Sequence, residues 1–207
     1  MIRGLTFLFF CLCGVLAGNA QALGEGPIGG TPVDNLGVVI PNKVYRGAAP
    51  LQAGVLYLRK NMGVRTIIDL RQDRFFDGGS SIDAERNWAR EAGVENFIHI
   101  PIQVSHAPSD ESVNEILELM DNSRMQPVFL HCRYGMDRTG LLVGLFRVLK
   151  QRLSDVRNDP RCRDLMQQGE KAAYDEMLTF GYHARQFFFF GWYFERRVKE
   201  AIEGECH

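Results

Sequence analysis

The chain has 207 residues, 45% of them hydrophobic, proportions ordinary for a soluble protein of one domain. Its 24 basic and 25 acidic side chains leave a formal charge of −1, which excludes a nucleic-acid or general membrane role driven by overall charge. A polyanion would need a local patch, for which Lys43, Arg46, Arg71, Arg74, Arg133 and Arg138 are the candidates.

The first 22 residues read as a secretory signal. Arg3 precedes an apolar run over 5–17, and Ala20-Gln21-Ala22 has the small-x-small pattern of a cleavage site. The run falls short of the ~20 residues that a membrane-spanning helix needs. The expectation is therefore export to the periplasm or beyond, with no stable membrane insertion of the mature chain. Residues 23–37 follow as an extended arm, rich in glycine and proline and without apolar period at its start, and residues 38–207 form the domain.

Within the domain, short apolar runs at 44–46, 66–70, 97–100 and 128–130 predict strands. Residues 51–61, 81–92 and 112–122 predict helices between them, with Gly63 and Gly93 placed as left-handed caps. This alternation implies an α/β fold whose central sheet is mixed, mostly parallel and flanked by helices on both faces. The C-terminal third is helical, over 172–180 and 186–203. Its aromatic cluster, Phe187 to Phe190 with Trp192, Tyr193 and Phe194, is expected to pack a terminal helix onto the core rather than to serve a membrane or partner.

The run His131-Cys132-Arg133-Tyr134-Gly135-Met136-Asp137-Arg138-Thr139-Gly140 joins the last predicted strand to an apolar helical stretch beginning at Leu141. At a strand-to-helix junction the first helical N–H groups lack partners and the helix dipole adds positive charge, which makes an anion site. The same field lowers the pKa of a thiol, so Cys132 is expected to be a thiolate nucleophile at neutral pH. Arg138 offers a planar fork for two phosphoryl oxygens. Gly135 lets the backbone turn closely, Thr139 can donate its hydroxyl to the sulfur, and His131 holds the loop by hydrogen bonds. The backbone from Arg133 through Tyr134, Gly135, Met136 and Asp137 to Arg138 would wrap the phosphate.

These residues resemble the signature of the cysteine-dependent protein tyrosine phosphatase superfamily: His-Cys, five residues, Arg, then Ser or Thr. Lys43 to Gly47 with Pro50, and Gly63 to Arg71, look like the opening strands of its compact dual-specificity-like members. The resemblance implies a tyrosine-phosphatase-like fold and phosphomonoester hydrolysis in two steps, through a phosphocysteine, with no cofactor. Two finer likenesses bear on substrate. Asp69-Leu70-Arg71-Gln72-Asp73, leading to Phe76-Asp77-Gly78, resembles the segment introducing the substrate loop of phytases of this class. It implies an inositol polyphosphate substrate, with Arg71 and Arg74 gripping the non-reacting phosphates. The Gly135-x-Asp137-Arg138-Thr139-Gly140 pattern is instead similar to secreted bacterial phosphatases acting on phosphoinositides and phosphoproteins, substrates that stand as the alternative to inositol polyphosphates, the leading expectation. That group has lysine where this chain has Met136.

The superfamily's usual general acid is an aspartate on a loop ahead of the signature, and the matching position here looks closest to Ser105. Three substitutes stand: Asp137 within the loop, as the bacterial group suggests; His106, whose ordinary pKa lies near ~6.5; and Asp110, which can alternatively cap a helix. With the signal removed, Cys132, Cys162 and Cys206 remain. If Cys132 stays a nucleophile, Cys162 and Cys206 are the only possible intramolecular pair, and pairing or its absence stays open. No cysteine or histidine spacing suits zinc. Two other classes compete with the enzyme: an idle phosphate-binding module, and a thiol redox protein, which the lack of a resolving cysteine near Cys132 makes weak.

Overall fold

The computed structural model describes residues 26–72 and 80–207. The expected signal at 1–22 therefore lies outside the described residues, as does Arg74.

Five strands form one sheet in the order β1-β2-β5-β3-β4. β1 (Gly37–Ile40) pairs antiparallel with β2 (Val44–Ala48). β5 (Val128–Cys132) lies parallel between β2 and β3 (Thr66–Asp69), and β4 (Asn96–His99) closes the far edge, also parallel. The mixed, mostly parallel sheet is thus as expected, with one strand more than the apolar runs had indicated.

Each crossover is helical: α1 (Gln52–Met62), α2 (Ile82–Ala92) and α3 (Asp110–Asp121). Gly63 and Gly93 end α1 and α2 in the left-handed region, at φ 66° and 81°. Ser81 and Ser109 start α2 and α3, each hydroxyl accepting a first-turn N–H. Helix α4 (Asp137–Leu145) continues through a π-helical stretch, Phe146–Arg152, into the short α5 (Leu153–Val156). Two long helices follow, α6 (Cys162–Thr179) and α7 (Phe188–Glu205).

Side chains of a strand alternate between the two faces of a sheet, and β5 divides accordingly. Val128, Leu130 and Cys132 join the larger core, shared with the buried residues of α3, α4, α6 and α7. Phe129 joins the smaller core under α1 and α2, and His131 stacks on its ring. That smaller core also takes Val33 and Leu36, so the arm expected over 23–37 is packed structure from Val33 onward. Phe190, Tyr193 and Phe194 are buried in the larger core, as expected of α7, while Phe188 and Trp192 stay exposed. Cys162 and Cys206 are joined as a disulfide, fastening the start of α6 to the end of α7, and Cys132 is free. No described helix is long and apolar enough to cross a membrane.

Candidate active site

Cys132 ends β5 at the carboxyl edge of the sheet, where parallel α/β sheets leave a crevice for ligands. Five residues later α4 begins at Asp137. The turn between them is held from outside by its carbonyls. Ala49 N–H donates to Arg133 O at 3.1 Å, Asn35 Nδ2 to Tyr134 O at 3.1 Å, and the guanidinium of Arg46 to Gly135 O at 2.8 Å. Gly135 has φ 68°, and a Cβ there would sit 2.4 Å from the Gly47 carbonyl, so only glycine lets the turn press this closely on β2.

With the carbonyls committed outward, N–H groups turn inward. Those of Gly135 and Thr139 reach the Cys132 sulfur, as does the Thr139 hydroxyl, which has no oxygen or nitrogen partner among the described residues. Burial alone would push the thiol pKa up. The Arg138 guanidinium, the Thr139 hydroxyl and the two N–H groups outweigh it and hold the thiol below its ordinary range. Arg138 is itself buried, its Nη1 donating to Leu70 O and Ile102 O at 3.3 Å each. The fork is therefore fixed from the ends of two other segments.

Beneath the loop lies a buried group of four charges. The parallel register sets Asp69 opposite His131. Arg71 grips Asp69 with Nε and Nη2 at 2.7–3.1 Å, reaches Glu85 Oε2 at 2.6 Å and donates to Ser80 O at 2.8 Å. Glu85 Oε1 lies 2.9 Å from His131 Nε2. Burial opposes protonation of His131, but Glu85 and Asp69 prevail and raise its pKa to about 9. Two cations thus balance two anions, and His131 Nδ1 lies 3.2 Å from Cys132 O, at the start of the loop. Arg71 is another matter. It is only 1% exposed, lies below the loop and does not line the cavity above it, so the substrate contact expected of it is corrected to a structural one. Asp69, Glu85 and His131 also come close enough to share a metal ion, but Arg71 already occupies both carboxylates.

Arg46 is equally buried. Its guanidinium stacks 3.9 Å above the Phe180 ring and lies 4.0 Å from Glu176, which Arg147 also pairs at 2.9 Å. Of the six candidate cations for a surface patch, Arg46 and Arg71 are therefore interior and Arg138 is the floor of the site.

A cavity of about 570 Å³ opens above Cys132 and Arg138. Arg133, Tyr134 and Asp137 line it from the loop; Gln103, Val104 and Ser105 from the segment after β4; and His183, Gln186, Phe187 and Phe190 from the α6–α7 connection. Met136 does not line it and packs beside Gly181. Of the three acid candidates only Asp137 lines the cavity. His106 is exposed and turned toward Ser105, 3.1 Å from its hydroxyl. Asp110 lies elsewhere, bonded to Arg196 at 2.6 Å and the Tyr193 hydroxyl at 2.7 Å. The Arg196 bond, against partial desolvation and with help from Tyr193, holds its pKa near 2. An acid of that strength is spent at neutral pH, and the capping role belongs to Ser109. His183, which no motif had indicated, accompanies Asp137: its backbone N–H donates to Oδ1 at 2.8 Å, and its Nδ1 lies 3.1 Å from the same oxygen.

A thiol-lowering loop between a parallel strand and a helix, with an arginine fork on its floor, defines the dual-specificity-like class of the protein tyrosine phosphatase superfamily. Within it the chain belongs to the family described as DSP-PTPase phosphatase fused to NAD+ kinase, whose model matches residues 34–179. Three curated proteins illustrate the likeness. Dual specificity protein phosphatase TpbA of Pseudomonas aeruginosa is 27% identical over 69% of this chain and 61% of its own length. NAD kinase 2 of Arabidopsis thaliana is 30% identical over 50% of this chain and 10% of its own. Inositol diphosphatase SIW14 of Saccharomyces cerevisiae is 25% identical over 58% and 41%. The chain thus spans less than two thirds of each. The crystal structure of TpbA shares the fold, with a TM-score of 0.59 at 22% identity over 86% of this chain and 96% of that one.

Proposed function

We propose that the chain hydrolyses phosphomonoesters through a phosphocysteine on Cys132. The observation that carries this reading is a thiol held below its ordinary pKa beside a buried Arg138, on the floor of an open cavity. Loop N–H groups and Arg138 bind three phosphoryl oxygens, Cys132 attacks phosphorus, the ester oxygen leaves with a proton, and water then releases phosphate. None of these steps requires a metal or cofactor.

Among substrates, an aryl phosphate such as phosphotyrosine on a protein fits the described wall best. Val104, Tyr134, Phe187 and Phe190 give it an apolar and aromatic face, and Arg133 and Arg138 are its described cations. Similarity to TpbA, which has been crystallised with pTyr, supports this choice. A second reading, inositol polyphosphate hydrolysis, is favoured by similarity to the inositol diphosphatases SIW14 and DSP4, but Arg71 is engaged beneath the loop. Export to the periplasm or medium is part of the proposal, supported by the leader-like sequence of 1–22 and by the Cys162–Cys206 disulfide, which suits an oxidising compartment.

The test is to assay a phosphotyrosine peptide, inositol hexakisphosphate and a phosphoinositide side by side, with a burst measurement on para-nitrophenyl phosphate. The expected result is one equivalent of nitrophenol in the burst and the highest kcat/KM on the peptide. Preference for inositol hexakisphosphate would promote the second reading. Binding of phosphate with neither burst nor turnover would make the chain an idle phosphate-binding module.

A further inference from the structure

Resting on the phosphatase reading, we propose that His183, oriented by Asp137, is the catalytic residue that protonates the leaving oxygen, in place of the aspartate that Ser105 displaces. The cavity wall sets this out. The segment after β4 brings Gln103, Val104 and Ser105 to the cavity, and none of these can donate a proton as an acid. Opposite them the α6–α7 connection brings His183 to the same space, its side chain half exposed.

The Asp137 carboxylate faces His183 from the first turn of α4 and engages it twice. Oδ1 accepts the backbone N–H at 2.8 Å, which fixes the connection at that residue, and Nδ1 lies 3.1 Å from Oδ1 and 3.3 Å from Oδ2, which fixes the ring. With Nδ1 given to the carboxylate, Nε2 is the ring nitrogen left for chemistry. A carboxylate that holds one imidazole nitrogen so that the other can exchange a proton is a recurrent device of acid–base catalysis. The ring is also packed edge-on to Phe187, 6.4 Å between centroids, so it is supported from the helix side. Among the described residues, Asp137 on α4 faces the ring, Cys132, Arg133, Tyr134 and Arg138 line the same cavity, and Tyr182 and Arg185 stand on its own connection.

The protons balance. As the Cys132 thiolate forms the S–P bond and the P–O ester bond breaks, the proton on His183 Nε2 passes to the departing oxygen. In the second step the neutral ring takes a proton from water as its oxygen attacks phosphorus, the P–S bond breaks, and the thiolate and the imidazolium are restored. Asp137 stays a carboxylate throughout and acts as a positioning residue.

The experiment compares His183→Ala, His183→Asn and Asp137→Asn on para-nitrophenyl phosphate, whose leaving group hardly needs a proton, and on a phosphotyrosine peptide, whose leaving group does. Asparagine places an N–H donor near the position of Nδ1 and so can keep the bond to Asp137 while offering no transferable proton. The expected result is a loss of about 10²–10⁴-fold in kcat on the peptide for both His183 variants, with a loss under about tenfold on para-nitrophenyl phosphate. Parental peptide turnover by His183→Asn, or equal losses on both substrates, overturns the assignment and leaves His183 a structural contact. Selective loss in Asp137→Asn alone also overturns it and gives the proton to Asp137. In each of these outcomes the parent still turns over, so the phosphatase reading stands; a parent inactive on both substrates and on inositol hexakisphosphate ends that reading and this assignment together.

Discussion

The floor and the rim of the cavity are built by opposite means. The side chains named for the floor are buried and answered by a carboxylate or a carbonyl: Arg138 by two carbonyls, His131 by Glu85, Arg71 by Asp69 and Glu85, Arg46 by Gly135 O and Glu176. The rim is made of exposed segments, with Ser105, Tyr134, His183 and Gln186 facing solvent. The difference separates two tasks. Stabilising a thiolate and a dianion requires donors that cannot relax, because donors already oriented cost no reorganisation as charge develops. Admitting a substrate and passing a proton requires groups in contact with water, and those groups need fewer fixed partners.

Substitutions of the floor groups that meet the phosphoryl group should break the chemistry outright, and the largest effect is expected at the sulfur. Cys132→Ser should lower kcat by at least ~10⁴-fold while phosphate still binds, because Arg138 and the loop N–H groups survive the change. Steady-state rates and calorimetric titration with phosphate check both halves. If the rate instead falls less than tenfold, Cys132 is not the nucleophile.

Removing one partner from the buried charge group should cost stability before chemistry. Glu85→Gln leaves His131 and Arg71 short of an anion and should destabilise the protein by about 3–5 kcal/mol in urea unfolding. Arg71→Met should do likewise. It should not act as a specific loss of KM for highly phosphorylated substrates, the outcome that a substrate-binding Arg71 would give. The same group predicts a pH dependence. His131 has a folded pKa near 9 against about 6.5 unfolded, so its contribution is complete below pH ~6.5 and is lost as pH rises toward 9. Unfolding midpoints measured from pH 6 to 9.5 should fall across that window, and His131→Gln should flatten the decline.

Away from the floor the effects shrink. Opening the Cys162–Cys206 bridge by a double serine substitution removes a link across 44 residues and should cost about 2–4 kcal/mol in denaturation, with kcat unchanged. A parallel fall in kcat would mean that the α6–α7 frame tunes the rim. Asp110→Asn should be the mildest, about 1 kcal/mol or less, since its ion pair with Arg196 is exposed and the asparagine carbonyl can still accept from the Tyr193 hydroxyl. A selective loss on substrates with poor leaving groups would return Asp110 to the acid role from which its partners exclude it.

The division between floor and rim also governs what could be read in the sequence. β2, β3, β5 and helices α1 to α3 follow from apolar period and turn glycines to within one or two residues, and Cys132, Arg138 and Gly135 follow from loop chemistry alone. β1 was hidden because it follows directly on a glycine- and proline-rich arm. The burial of Arg46 was hidden because its partner lies far off in the chain, Gly135 O being 89 residues away. Arg71 pairs with the nearby Asp69 and Glu85, and nothing in their spacing shows that the three turn together beneath the loop. A lone arginine in a strand carries no sign of which face it will take. His183 was missed for the same reason, standing 46 residues beyond Asp137 in a connection without periodicity. The Asp69-to-Asp73 likeness to phytases led to Arg71 as a substrate contact because a motif records residue types and not the direction of a side chain.

The phosphocysteine on Cys132 is tested most directly by an acid quench of the parent protein during turnover of a phosphotyrosine peptide, followed by mass spectrometry of the peptide containing Cys132. A phosphoryl adduct is expected on Cys132, absent in Cys132→Ser and in protein quenched without substrate. Turnover of the peptide with no adduct on Cys132, or an adduct on another residue, would contradict it.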